Sequence, residues 1–188
     1  MRWEALFADL ESQLHSALDA GRESEIRERT RVEQSRLTLV QRLLGQVGLP
    51  IGASTSGGRF LSGVLTHVGS DWVSLAVEGR SVLVPLSSLQ SLIGLGRGVG
   101  QAPSGVTARL GLGSALRGLS RDRVHVALWL GTDSRHSGVI DRVGADFLEL
   151  GLVVTGDERR AANVRDALTV PFRAIDSVES AAPDRAPD

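Results

Sequence analysis

Residues 62 to 75 read SGVLTHVGSDWVSL, and residues 137 to 150 read SGVIDRVGADFLEL. The segments align without a gap at an offset of 75. Ser62, Gly63, Val64, Val68, Gly69, Asp71 and Leu75 recur as Ser137, Gly138, Val139, Val143, Gly144, Asp146 and Leu150. After an insertion in the second copy, VPLSSLQSL at 84 to 92 matches VPFRAIDSV at 170 to 178. Backwards, Ile51, Ala53 and Thr55 fall opposite Val126, Leu128 and Leu130, and Leu37 to Leu44 precedes one copy as Ala108 to Leu119 precedes the other. Such self-similarity is the signature of a duplication. A duplicated chain of 188 residues, 41% of them apolar, has to build two small related units.

Each copy alternates with the period of strands. Val124, Val126, Leu128 and Leu130 share a face and are followed by a turn at Gly131, Thr132 and Asp133. A second strand is predicted from about His136 to Val143, with Gly138 at a bend or bulge. A tight turn through Gly144 to Asp146 leads to a third strand, Phe147 to Leu152. A fourth ends in Val170-Pro171, and a short fifth holds Ile175 and Val178. Strands this short, following a helix, suit a small closed barrel. The expected fold is mainly β with α: two tandem helix-capped five-stranded small barrels, preceded by a long N-terminal helical segment.

That segment covers residues 1 to 36, where Trp3, Phe7, Leu10, Leu14 and Ala17 form one apolar helical seam suited to oligomerisation. The first barrel with its helix takes residues 37 to 93, and a glycine-rich linker takes 94 to 107. The second barrel with its helix takes 108 to 179, and a disordered tail takes 180 to 188. The acidic residues Glu4, Asp9 and Glu11 speak against a signal peptide, and no apolar run reaches membrane-spanning length, so a cytoplasmic protein is expected.

Composition removes many activities. The 21 basic residues are all arginine, which points to a GC-rich genome, and 22 acidic residues leave a net charge of −1. Without lysine there is no Walker lysine or Schiff base, and without cysteine no thiol nucleophile or thiolate zinc site. His15, His67, His125 and His136 show no ligand spacing. Asp71 and Asp146 sit at equivalent turns, where an aspartate bonds its own turn backbone. No enzyme, cofactor, metal or small-molecule substrate is expected.

A helix, three strands with the second bent, and a Val-Pro turn into a last strand resemble the small SH3-like barrels of the Sm and Sm-like (LSm, Hfq) type over residues 37 to 93 and 108 to 179. MRWEALFADLE together with RVGADFLEL also resembles an uncharacterised actinobacterial protein family. The Sm-like resemblance implies rings formed through the last two strands and RNA held on ring surfaces. It also implies an asparagine after the turn aspartate and a late arginine-glycine pair. Here Trp72-Val73-Ser74-Leu75 follows Asp71, Phe147-Leu148-Glu149-Leu150 follows Asp146, and neither Val-Pro pair adjoins arginine-glycine.

Two features point towards partners. Arg97, Arg109, Arg117, Arg121 and Arg123 stand against Asp122 alone between residues 97 and 123, and guanidinium groups suit phosphate. Trp72, Trp129 and Phe147 lie on mixed strand faces that suit contact with the other barrel or another subunit. The expectation is a non-catalytic, self-associating binding protein, with RNA held by those arginines. The alternative is a protein-only scaffold using barrel edges and the Trp3 to Ala17 seam.

Overall fold

The computed structural model describes residues 34–102, 110–152 and 167–181, together with Glu28 and Arg31. The chain divides into two units, Met1–Thr38 and Leu39–Asp188. In the first, Glu28, Arg31, Gln34 and Ser35 are helical, and Arg31 lies 3.6 Å from Glu28 one turn away. Both side chains are exposed, so this pair contributes little. Trp3, Phe7, Leu10 and Leu14 lie outside the described residues, as do Arg109, the insertion at 153–166 and the tail from 182.

The second unit runs α1 (Leu39–Leu44), β1 (Pro50–Thr55), β2 (Phe60–Val68), β3 (Trp72–Val77), β4 (Arg80–Pro85) and β5 (Leu89–Ile93). It continues with α2 (Leu112–Arg121), β6 (His125–Leu130), β7 (Ser134–Val143), β8 (Phe147–Leu152), β9 (Ala167–Pro171) and β10 (Ile175–Ala181). The strands follow the alternation read from sequence closely. Their assembly does not. All ten form one antiparallel sheet in the order β5-β1-β2-β3-β4-β10-β6-β7-β8-β9.

The expectation of two helix-capped five-stranded barrels is therefore corrected. β10 pairs with β6 of its own copy and with β4 of the other, joining both copies into a continuous ladder. The Val-Pro turns explain this routing. After Pro85 and Pro171 a single 3-10 turn, Leu86–Ser88 or Phe172–Ala174, redirects the chain. The following strand then pairs with the first strand of its copy rather than with its predecessor, which leaves β4 free to accept β10. The helices are also shorter than expected, α1 having six residues and α2 ten.

The duplication extends to register. Gly52 opposite Ile93 matches Ala127 opposite Glu179, and Trp72 opposite Pro85 matches Phe147 opposite Pro171. The bulges coincide too, between Leu65 and His67 and between Ile140 and Arg142. Gly138 lies before its bulge rather than in it. A Cβ there would collide with the Gly151 carbonyl oxygen, as one at Gly63 would with that of Ala76, so glycine permits close strand approach.

Two apolar clusters fill the unit. One gathers Leu43 with Ile51, Leu65, Val73, Leu75 and Val84. The other gathers Leu112 and Leu116 with Leu128, Ile140, Leu148 and Leu150, and also takes Leu83 from the first copy. The glycine-rich stretch from Gly94 is docked rather than a free linker. Arg42 donates to the Gly96 and Gly98 carbonyls, and the buried Gln46 donates to Gly98 and accepts from the Gly96 N–H.

Candidate functional site

Buried polar side chains gather at the middle of the sheet, where β4 meets β10. Val178 stands opposite Leu83, Glu179 opposite Val82 and Ser180 opposite Ser81. Just before this ladder Asp176 is 2% exposed. A buried carboxylate is costly unless it is fully hydrogen-bonded. Here the first copy supplies the donors: Thr55 Oγ1 at 2.8 Å, the Gly57 N–H at 2.7 Å, Ser88 Oγ at 2.9 Å and Ser56 Oγ at 3.4 Å. Gly57 has to be glycine, because a Cβ would strike Asp176 and the Gly131 carbonyl.

Arg59, immediately before β2, reaches across the same boundary. Its guanidinium donates to Ser177 Oγ at 2.6 Å and pairs with Glu179, whose side chain is only 9% exposed. The Arg59 charge also lies 4.0 Å from the centre of the Trp129 ring. One cation thus meets a carboxylate, a hydroxyl and an aromatic face, all from the second copy. Arg80 adds a looser approach to Glu179 at 3.8 Å.

A second contact joins the copies through α2. Asp71 Oδ1 accepts the Leu112 N–H at 2.7 Å, capping the first turn of α2. Trp72 Nε1 and the Ser70 N–H both donate to the Leu110 carbonyl, and Trp72 packs against the second apolar cluster. Asp71 was expected to bond its own turn, but it serves a helix of the other copy instead. The repeat places Asp146 and Phe147 at the corresponding turn, where Asp146 is exposed and Phe147 half-buried.

The arginines expected to gather into an RNA surface have separate surroundings. Arg121 meets Asp122 at 3.2 Å, Arg123 meets Asp141 at 3.0 Å, and Arg117 donates to the Gly144 carbonyl at 3.2 Å. Arg97 is exposed in the docked glycine-rich segment. Trp72 and Trp129 both lie at the boundary between copies. Asp176, Glu179, Arg59 and Thr55 were not singled out from sequence. Comparing each with its repeat counterpart would have exposed them, since Gln90, Ile93, Ser134 and Leu130 cannot make the same contacts.

Among the described residues no group of three or more His, Asp or Glu side chains is placed to hold a metal ion, and no helix is long and apolar enough to cross a membrane. Fold and junction together define a duplicated antiparallel β protein with a polar internal seam. No protein-family model and no curated protein matches the chain.

Proposed function

We propose that this chain is a non-catalytic cytoplasmic scaffold that associates with further copies of itself through the two ends of its sheet. One observation carries this reading. The internal junction joins β4 to β10, and the repeat counterparts of those strands are β9 and β5. These counterparts stand at the two ends of the sheet, each paired on one side only among the described residues. Carried over residue by residue, the ladder would set Leu92 against Thr169 and Ile93 against Leu168.

Sheet edges are normally protected by charge, bulges or cover. Leu89–Ile93 and Ala167–Pro171 contain no charged residue, and Ile93 and its neighbour Phe60 are each 58% exposed. Pairing β9 of one molecule with β5 of the next is heterologous, and produces a ring or an open filament according to the rotation between copies. The RNA reading has less support, because Arg121 and Arg123 each face a carboxylate.

Sedimentation and ultraviolet absorbance of a low-salt preparation separate the two. A scaffold sediments as a multimer without co-purifying nucleic acid. An RNA-dependent assembly carries nucleic acid and loses it steeply with added salt.

A further inference from the structure

A cleft of about 530 Å³ opens beside the internal junction, lined among others by Glu78, Arg80, His125, Arg135, Ser137 and Glu179. Its volume falls in the range of small-ligand sites. The charges are not all absorbed by the fold. Glu179 is held by Arg59, whereas Arg80 approaches it only at 3.8 Å with 65% of its own side chain exposed. Arg135 meets no carboxylate among the described residues, and its guanidinium lies 5.7 Å from the Trp129 ring centre. Glu179 pairs mainly with Arg59, so the lining carries Arg80 and Arg135 with Glu78 as its other carboxylate. His125 and Ser137 add hydrogen-bonding groups.

The duplication provides an internal control. The positions of His125, Arg135 and Glu179 are occupied in the first copy by Pro50, Phe60 and Ile93. Joining the two copies explains Arg59 and Glu179, which pair across the seam. It does not explain His125 and Arg135, which make no ion pair among the described residues. Glu78 is unusual as well: it and Gly79 have φ of 48° and 77°, the two left-handed residues of a tight hairpin turn where asparagine or glycine is preferred. A glutamate thus occupies a backbone position that disfavours it, on the rim of the cleft.

We propose that this cleft binds a small phosphate monoester bearing hydroxyl groups. Arg80 and Arg135 take the phosphoryl oxygens, since guanidinium forks match phosphate geometry. Glu78 accepts a hydrogen bond from a hydroxyl of the ester. The site lies within one chain and does not depend on association between copies.

Calorimetric titration of the full chain at low salt, with adenosine monophosphate and inorganic phosphate as probes, tests this. The monophosphate is expected to bind, and R135Q and R80Q each to weaken it about tenfold, the loss of one charge-assisted contact. E78Q should weaken the nucleotide but leave phosphate unchanged, and R173Q, remote from the cleft, should alter neither. Circular dichroism of each variant checks that the fold is retained. Equal affinity for both probes overturns the ester assignment. The whole proposal is overturned by absence of binding at about 10 mM of either probe, or by R135Q and R80Q both binding within about twofold of the unaltered chain.

Discussion

The seam inside the chain and the two ends of its sheet are the same structural position met twice, yet their chemistry differs. At the seam, Arg59 pairs with Glu179 and four donors surround Asp176. At the ends, the corresponding residues are Ser134, Ile93 and Gln90, with Ala174 in place of Ser88. The seam is therefore specified by buried polar contacts that tolerate one register, because a slip would strand a carboxylate. The end strands carry no charged residue, which suits weaker pairing that depends on concentration. Duplication followed by divergence at these few positions leaves a polar internal junction and, under the proposed association, a second pairing site without those contacts.

Mutations at the seam should have the largest effects. Asp176→Ala removes the acceptor for three hydroxyls and one N–H and should destabilise the fold by about 3 kcal/mol in denaturant titration. Arg59→Ala leaves Glu179 with only the loose Arg80 contact and exposes one face of Trp129, at a cost of about 2 kcal/mol. Asp71→Ala removes the cap on α2 and should cost about 1 kcal/mol. If any of these leaves stability unchanged, the polar seam is not what joins the copies.

A transplant sharpens the comparison further. Ile93→Glu places a charge on an open edge and should weaken association about tenfold without unfolding the exposed strand end. Adding Ser134→Arg recreates between molecules the pair that Arg59 and Glu179 form within one, and should recover most of that loss. A double-mutant cycle in sedimentation measures the coupling. Additive effects would mean that β5 and the β6–β7 turn do not meet across molecules.

The strands were legible because their alternation and turn glycines are local properties: β8 runs from Phe147 to Leu152 as its pattern indicates. Their assembly was not, since no local signal distinguishes a β4 that stays within its copy from one that accepts β10. The mixed faces of Trp72, Trp129 and Phe147 suggest contact with the other barrel or another subunit without saying which; in the fold Trp72 meets Leu110 and Trp129 lies beside Arg59. Asp176 and Arg59 are not legible in sequence, because a single aspartate or arginine in or beside a strand carries no pattern. Only the contrast with Gln90 and Ser134 marks them. The arginine segment shows the reverse: its charge and the adjacent Asp122 are visible in sequence, whereas the pairing of Arg123 with Asp141 is visible only in the fold.

The proposed association pairs the two sheet ends between molecules as β4 and β10 pair within one. Sedimentation equilibrium of the chain from about 1 to 100 µM tests it most directly. The expected mass rises with concentration to a multiple of the 20.0 kDa chain, and falls back towards 20.0 kDa in Ile93→Glu. A mass of 20.0 kDa at every concentration, or a multimer indifferent to Ile93→Glu, would contradict it.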